Sequence, residues 1–310
     1  MKRKVVQNGP LTLGISLPIK WIKLHGIKKG DDVELEEQEK KLLINPSKSA
    51  KKDKKATNFT IDTNYKQYIK LIITNAYRIG YDVINISFKT QKQFNLIKDV
   101  VSTHLIGYEI TEKKKDYCKI ESITEPPEDK VETLINRMFH IIKDSSGMIA
   151  EYLTKGINPD LRYIESQTNK IDQYTFFCKR TISKTDFEEK SYFRWILLLH
   201  LLWIQHDYNR LISYVIHKKV KSRKEFIAVF DKVDKYFESF VEAFIKKDIQ
   251  AFSRINEKGE SILYKDCYSL FENNKEGASL YHLADIVRNV YLASVPAIGI
   301  FMSYKPSKVE

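Results

Sequence analysis

The chain has 310 residues and a formal net charge of +12 at pH 7, with 43% hydrophobic and 30% charged residues. This length predicts about two or three domains, and the apolar content is sufficient for packed cores. The basic balance favours an anionic partner, although a lysine-rich solvated surface would give the same total. Cys118, Cys178 and Cys267 are odd in number and far apart, which argues against a disulfide framework or a zinc site and favours free thiols in a reducing cytosol.

The sequence shows no signal peptide, and its longest apolar runs do not predict a membrane span. The longest apolar runs are 192–204, interrupted by Arg194 and His200, and 290–302, interrupted by Pro296. Both are too short or too polar to cross a bilayer. We therefore expect a soluble, cytoplasmic protein without membrane insertion.

The first 46 residues predict two strands, a short helix and two more strands. A basic strand over Arg3–Gln7 precedes a second strand in the stretch GPLTLGISLPIKW. Pro18 favours a helix over Lys20–Leu24, because its fixed φ suits a first turn and its missing N–H needs no partner there. Gly30 permits a turn with positive φ before the alternating strand VELE, and KLLINP supplies the fourth strand.

This order and these residues resemble the swapped-hairpin DNA-binding domains of the AbrB, MazE and SpoVT type. Ser-Leu-Pro, the tryptophan and Gly-Asp-Asp-Val-Glu-Leu follow one another at family-like spacing. The whole stretch, RKVVQNGPLTLGISLPIKWIKLHGIKKGDDVELEEQEKKLLINP, is similar to the N terminus of archaeal PhoU-related regulators. The resemblance implies that hairpins from two chains form one sheet, and hence a homodimer that binds DNA.

Basic side chains on the first strand and the short helix are the candidates for contact with DNA. They are Lys2, Arg3, Lys4, Lys20 and Lys23. Arg3 is the candidate for base reading, because its planar fork can bind guanine bidentately, whereas the lysines suit phosphate contacts. A solvated charge remains the alternative for each lysine singly. Leu17 and Trp21 are predicted to lie in a dimer core.

The basic charge is concentrated at the N terminus. Residues 1–55 contain fourteen Lys and Arg residues against seven acidic ones, which is more than half of the net charge of the chain. This asymmetry favours the nucleic-acid interpretation over a solvated surface. We divide the chain into a DNA-binding and dimerisation domain (1–47), a basic linker (48–56), a small α/β module (57–124) and a helical domain (126–305).

The α/β module is predicted from alternating strands and amphipathic helices. Its elements are strands at Phe59–Ile61, Val83–Phe88, Tyr108–Ile110 and Tyr117–Glu121, with helices at Tyr65–Ile79 and Phe94–Leu105. Gly80 is expected to end the first helix. The phrases AYRIGYDVI and LIGYEI resemble the segment that joins the two ends of the same archaeal regulators.

The rest of the chain predicts six long helices in two similar halves, with a period close to 100 residues. They cover Glu128–Thr154, Pro159–Ser183, Phe187–Ser213 or slightly beyond, Ser222–Lys246, Ile249–Asn273 and Ser279–Met302. The aromatic residues Phe176, Phe177, Tyr192, Phe193, Trp195 and Trp203 are predicted to be bundle core. This layout resembles PhoU, a tandem pair of three-helix bundles, and the fold class expected for the whole chain is multi-domain α+β.

The PhoU resemblance implies a multinuclear iron or other divalent-metal site built from an acidic residue followed four positions later by Asp. Here Asp172 and Asp207 survive, but Thr168 and Trp203 occupy the first positions. The second half offers only Asp285 near the expected place. Asp172 and Asp207 could still face one another, with Glu165 or His206 as an added ligand. The alternative is that these are capping or surface acids, and we expect no bound cofactor.

The functional prediction is a DNA-binding transcriptional regulator, with phosphate uptake or homeostasis implied by the PhoU resemblance. That resemblance also implies a phosphate-transporter ATPase or a signalling protein as a partner. The alternatives are an interaction scaffold whose N-terminal domain only dimerises, and an antitoxin-like binder. No Gly-rich phosphate loop, nucleophile elbow or histidine pair at metal-ligand spacing occurs, so an enzyme is not expected.

Overall fold

The computed structural model describes residues 2–38, 41–46, 54–124, 130–184, 190–218, 224–272 and 277–302. The chain forms two compact units, Met1–Lys54 and Lys55–Glu310. Most of the linker predicted at 48–56, and the Pro126-Pro127 break, lie outside the described residues.

The first unit contains the four strands and the short helix expected from the sequence. Strands β1 (Val5–Gly9) and β2 (Thr12–Ile15) form one antiparallel hairpin, and helix α1 spans Ile19–Leu24. Strands β3 (Val33–Gln38) and β4 (Lys41–Pro46) form a second antiparallel hairpin. The two hairpins are separate two-stranded sheets.

The local geometry of this unit follows from its proline and glycine residues. Pro18 caps the start of α1 with φ −65°, the value that its ring imposes. Gly30 has φ +96°, so the turn before β3 uses backbone conformations that other residues avoid. The β1–β2 ladder shifts register between Gln7 and Gly9, which leaves Asn8 in a bulge beside Gly14.

The second unit begins with the predicted α/β module. Four strands, β5 (Ala56–Ile61), β6 (Val83–Phe88), β7 (Tyr108–Lys113) and β8 (Tyr117–Ser122), form one sheet in the order β5-β6-β8-β7. Strands β5 and β6 are parallel and joined by helix α2 (Lys66–Ile79), whereas β8 pairs antiparallel with β6 and β7. Helix α3 (Gln91–His104) follows β6. Buried residues of the sheet, α2 and α3 form one hydrophobic core.

The ends of the two module helices have clear sequence causes. Helix α2 ends at Gly80, which takes the left-handed conformation with φ +98°, as predicted. Helix α3 begins with a capping box in which the Thr90 side chain accepts from the Gln93 backbone N–H at 3.2 Å. The Gln93 side chain in turn accepts from the Thr90 N–H at 3.0 Å.

The remainder of the second unit is helical. Its helices are α4 (Lys130–Lys155), α5 (Leu161–Lys184), α6 (Ser191–His217), α7 (Lys224–Lys246), α8 (Ala251–Ser261), α9 (Tyr268–Glu272) and α10 (Gly277–Phe301). A π-helical segment, Ile262–Cys267, joins α8 to α9. The stretch predicted as a single helix over Ile249–Asn273 is therefore continuous from Ala251 to Glu272 but carries a π turn in its middle.

Corresponding helices of the two halves pack against each other. The first helices, α4 and α7, run antiparallel and bring Phe139 within 5.2 Å of Phe244 between ring centroids, while Ser146 donates to Asp234 at 2.5 Å. The third helices, α6 and α10, are also antiparallel, with His200 and Asn289 joined at 3.1 Å. Equivalent helices paired in this way are what an approximate two-fold relation between the halves would produce.

Helix α10 is long and apolar enough to meet a length-and-composition test for a membrane span. An 18-residue window of it has a mean hydropathy of 1.3, and 56% of that window is buried inside the protein. The helix packs against α6, α7 and α8. The core helix of a soluble protein passes the same test.

The aromatic stripe is only partly core. Phe176 and Phe177 are buried, whereas Tyr192 is 49% exposed and Trp203 39% exposed. The prediction that all six aromatic residues lie in the bundle core was therefore wrong for these two, and Phe176 is buried in the core of the α/β module instead. Helix α6 is apolar on nearly every side, so hydrophobic character alone did not identify its buried face.

Candidate nucleic-acid interface

The five basic side chains predicted to contact DNA are all exposed in the first unit. Strand β1 begins at Val5, so Lys2, Arg3 and Lys4 precede it, and the prediction that they lie on the strand was wrong by a few residues. Lys20 and Lys23 lie on α1, as predicted. Residues three apart on a helix share a face, so these two lysines point to the same side.

None of these five residues pairs with an acidic side chain in the part of the first unit that the structure describes. The Asp31 carboxylate accepts a hydrogen bond from the backbone N–H of Lys28 at 2.7 Å. Asp31 is thus engaged in a turn, and Glu34 and Glu37 are carried on the β3–β4 hairpin. The five basic groups therefore remain available to an anionic partner, and phosphates of a nucleic acid are such a partner.

The first unit also exposes most of its apolar residues. Leu11 is 100% exposed, Leu24 78% and Leu13 71%. Val5, Val6, Ile15, Ile19, Leu35 and Leu42 are all at least half exposed. Every described side chain in the ranges 2–35 and 42–46 is at least partly exposed. A chain segment that folds into hairpins without burying its own leucines requires another surface to cover them.

Leu17 and Trp21 are partly buried within the single chain. The Trp21 ring lies 5.0 Å from the ring of His25 one turn later. Their predicted role in a dimer core stays a prediction, since one chain alone supplies only part of their surroundings.

A comparison with protein-family models finds a match in this unit. Residues 12–52 match the family model described as antidote-toxin recognition MazE, bacterial antitoxin. The matched range starts at β2 and includes α1, β3 and β4. No curated protein and no solved structure matches the chain.

The match supports the AbrB/MazE-type assignment of the N-terminal unit. Domains of this type are DNA-binding and dimerising modules of regulators and antitoxins. The matched range excludes Lys2, Arg3 and Lys4 but includes Lys20 and Lys23. The two helical lysines therefore lie inside the recognised domain.

The acids of the altered metal motif are buried and engaged with basic groups. Asp172 on α5 is 2% exposed; it accepts from Lys70 Nζ at 2.5 Å and contacts His206 Nε2 at 2.8 Å. Burial alone would raise the pKa of Asp172, but the His206 hydrogen bond and the Lys70 charge outweigh it and hold the pKa below its usual value. The expectation of capping or surface acids was wrong, because Asp172 lies inside the protein.

Asp207 belongs to a different network. It is buried on α6, contacts His282 Nδ1 at 3.3 Å and accepts from Arg210 at 3.1 Å. Burial, followed by a hydrogen bond with Asp207, raises the pKa of Asp285 to about 6. The charge of the neighbouring Asp207 carboxylate thus also favours the protonated form of Asp285.

These networks do not fit the metal cluster that the PhoU resemblance implies. Asp172 and Asp207 lie in separate networks and Glu165 is exposed, while His206 contacts Asp172 through a hydrogen bond. Lys70 and Arg210 already neutralise the two carboxylates, and a divalent cation beside them would meet like charge. Among the described residues, no group of three or more His, Cys, Asp and Glu side chains is arranged to hold a metal ion.

Sequence reasoning missed the basic partners of Asp172. Lys70 and His104 are on α2 and α3 of the α/β module, far from Asp172 in the sequence, and the His104 Nδ1 lies 3.8 Å from its carboxylate. Residues that pair across such a long separation in the sequence form no spacing pattern that could be recognised beforehand.

Proposed function

We propose that the protein is a cytoplasmic, non-enzymatic transcriptional regulator that binds DNA as a homodimer through its N-terminal unit. The observation that carries the proposal is the MazE-type match over residues 12–52. It coincides with exposed basic side chains on α1 that have no acidic partner in the described chain. Lys20 and Lys23 would contact phosphates, and Arg3 would read a base from the segment before β1.

The exposed apolar surface of the first unit supports the dimer. Leu13 and Leu35 lie on different hairpins, and each is more than half exposed in the single chain. Covering such residues with the equivalent hairpins of a second chain would provide the core that one copy lacks. A symmetric dimer would also present two sets of basic groups to two half-sites on DNA.

The second unit would be the regulatory part. Its resemblance to PhoU rests on the layout of the helices, and on that basis we propose a role in phosphate uptake or homeostasis. A phosphate-transporter ATPase or a signalling protein would be its partner. Comparing transcripts of phosphate-transporter genes with and without this protein, at high and low phosphate, tests the role. Equal transcript levels in all four conditions would count against it.

A second candidate is an antitoxin-like function, because the family that matches residues 12–52 is one of bacterial antitoxins. In that case the first unit would bind DNA, and the remainder would hold a toxin. Expression of the protein beside a chromosomal neighbour that is toxic on its own distinguishes the two. Rescue of growth would favour the antitoxin, and an absence of any rescue would leave the regulator.

The direct test is DNA binding by fluorescence anisotropy across a salt series, with promoter DNA and the full-length protein. We expect log K to fall linearly with log salt, with a slope that the double variant Lys20→Ala/Lys23→Ala reduces by about 2 per chain, because each lost phosphate contact changes the slope by about 1. Lys89→Ala/Lys92→Ala, an exposed pair with the same spacing in the second unit, is the matched control.

The control removes the same charge, so a non-specific effect of net charge would weaken both variants equally. That result, or an absence of binding by the wild type at low salt, would refute the proposal. Arg3→Ala should instead relax discrimination between a sequence selected from random duplexes and an unselected one. An equal loss of affinity for both duplexes would show that Arg3 contacts the phosphate backbone of the DNA instead of a base.

A further inference from the structure

A small pocket lies between α10 and the helical stretch that runs from α8 into the π segment. Its volume is about 140 Å³. It is lined by Gly259, Glu260, Leu263, Tyr264, Val287, Arg288, Tyr291 and Leu292. Each of the two stretches contributes residues at positions i, i+1, i+4 and i+5, so each set of four shares one face of its helix. The pocket is therefore a gap between two facing helices of the second unit.

The two walls of the pocket are held in place by the packing around them. The Ser294 hydroxyl on α10 is hydrogen-bonded to Asn256 Oδ1 on α8 at 2.7 Å, about one turn from the pocket. A Cβ at Gly259 would overlap the hydroxyl of Tyr236 on α7, so α7 and α8 are in close contact there. The π segment Ile262–Cys267 supplies two of the lining residues, and such segments are frequent at functional sites. The pocket is thus a preformed part of the fold.

Most of the lining is apolar. Leu263, Val287 and Leu292 supply aliphatic side chains, and Tyr264 and Tyr291 supply aromatic rings. An apolar cavity of about 150 Å³ in another protein holds a benzene molecule. This pocket therefore has room for one apolar group of the size of a leucine or phenylalanine side chain, and not for a large cofactor.

The pocket also has one charged residue of each sign, on opposite walls. Glu260 on α8 and Arg288 on α10 are both exposed lining residues. In the described part of the chain neither side chain forms an ion pair. Asp285, three residues before Arg288, is influenced by the arginine charge but forms no ion pair with it there. A ligand in the pocket would therefore meet both a carboxylate and a guanidinium.

We propose that this pocket, which we call the α8–α10 pocket, binds a free α-amino acid with an apolar side chain. The Arg288 guanidinium would bind the α-carboxylate, since its planar fork matches that group, and the Glu260 carboxylate would accept from the α-ammonium. The apolar side chain would fill the space between the leucine and tyrosine residues of the walls. A zwitterion without net charge matches one acid and one base.

The bound amino acid would connect α8 to α10. It binds only the folded state, so it would stabilise the protein by mass action. Its role as an effector rests on the proposed function, in which the second unit is the regulatory part. Binding itself does not depend on DNA, because every lining residue belongs to the second unit.

The experiment is isothermal titration of the full-length protein at pH 7 with L-phenylalanine, L-leucine and glycine. We expect one saturable site per chain for phenylalanine or leucine, and at least tenfold weaker binding of glycine, which has no side chain for the apolar walls. Phenylacetate lacks the ammonium group and phenethylamine lacks the carboxylate. Each should bind at least tenfold more weakly than phenylalanine, because each loses one charge-assisted contact.

Two variants test the charged residues separately. Glu260→Gln and Arg288→Gln should each weaken phenylalanine binding at least tenfold. Arg288→Gln should also bind phenylalanine and phenethylamine about equally, because the group that recognises the carboxylate is gone. The matched controls are Glu257→Gln and Arg254→Gln, which change exposed residues of α8 outside the pocket lining and should leave binding unchanged. All four positions are exposed, so the variants are expected to fold.

The proposal is overturned if neither phenylalanine nor leucine shows saturable binding to the wild type. It is equally overturned if Glu260→Gln and Arg288→Gln bind phenylalanine as tightly as the wild type, because the ligand then lies elsewhere. Phenylacetate or phenethylamine binding as tightly as phenylalanine would exclude an amino acid as the preferred ligand. Failure of the wild type to bind DNA would refute the proposed regulator alone, since the titration with phenylalanine contains no DNA.

Discussion

Arg180 and Asp82 join the helical bundle to the α/β module. Arg180 Nη2 on α5 donates to Asp82 Oδ1, just before β6, at 2.8 Å, and the Arg180 side chain is 1% exposed. Lys184, one turn later on α5, donates to the same carboxylate at 2.6 Å. The guanidinium also lies 4.8 Å from the Tyr108 ring, so the contact combines an ion pair with aromatic packing.

Asp82→Asn should destabilise the second unit. The substitution leaves two cations beside a neutral amide, and breaking one side of a buried pair costs about 3 kcal/mol. Urea unfolding monitored by circular dichroism measures the difference. Asp62→Asn, an exposed aspartate after β5, is the matched control and should change stability by less than about 0.5 kcal/mol. An equally small effect of Asp82→Asn would show that the Arg180–Asp82 ion pair does not stabilise the second unit.

Gly299 is required by the close approach of α10 to α6. A Cβ at this position would lie 2.5 Å from the Phe193 ring, so Gly299→Ala should destabilise the protein by about 1–3 kcal/mol although alanine favours helix. Gly147→Ala on α4 is the matched control, since nothing lies within 4 Å of its added Cβ. We expect it to stabilise by about 0.5–1 kcal/mol. The melting temperature should therefore fall for Gly299→Ala and rise for Gly147→Ala. A shift of both in the same direction would contradict the close packing at Gly299.

Most elements of this fold could be predicted from the sequence. Alternating strands, Gly80 at a helix end and the apolar periodicity of the long helices located nearly every element. Local patterns determine these features, because the residues that form a turn or cap are neighbours in the chain. The π segment was not predicted, since its sequence, ILYKDC, continues the helical pattern on both sides.

The buried charges could not be predicted. Lys179 and Arg180 are adjacent in the phrase FCKRTISK, which reads as the polar face of a surface helix. Arg180 is buried against Asp82 of the α/β module and Lys179 packs on Trp195 of α6. No local pattern in the sequence shows which element will cover a given face of α5. Lys70 and Asp172 show the same limitation, since 102 residues separate them.

His104 should make the second unit less stable in mild acid. Burial, with the nearby Lys70 charge, lowers the pKa of His104 from 6.5 to about 4, although Asp172 and Asp99 act in the opposite direction. Its folded pKa lies below the unfolded one, so the stability it contributes is complete above pH 6.5. It is lost as the pH falls toward 4, because the unfolded chain takes up the proton first.

The loss attributable to this group is on the order of 3 kcal/mol across that range. Other carboxyl groups titrate there too, so the measurement is the difference between wild type and His104→Gln in urea unfolding at pH 7.5, 6.5, 5.5 and 4.5. We expect a flatter pH dependence in the variant. Parallel curves would mean that the pKa of His104 is the same in the folded and the unfolded chain. His217, exposed at the end of α6, gives the control His217→Gln, whose curve should follow the wild type.

The exposed leucines of the first unit predict where the proposed homodimer would form. Leu13 on β2 is 71% exposed in the single chain, and burying a leucine contributes about 1.5–3 kcal/mol. Leu13→Glu would replace that gain with a charge to be desolvated, so the dimer dissociation constant should rise at least tenfold in sedimentation equilibrium. DNA affinity should fall in parallel, because each monomer retains only half of the phosphate contacts.

Leu71→Glu is the matched control for this test. Leu71 lies on α2 of the second unit and is 46% exposed, so the substitution adds the same charge at an apolar surface position outside the proposed interface. We expect it to leave both the dimer and the DNA affinity unchanged. If Leu71→Glu dissociates the dimer and Leu13→Glu does not, the chains associate through the second unit, and the N-terminal hairpins must bury their leucines against some other surface.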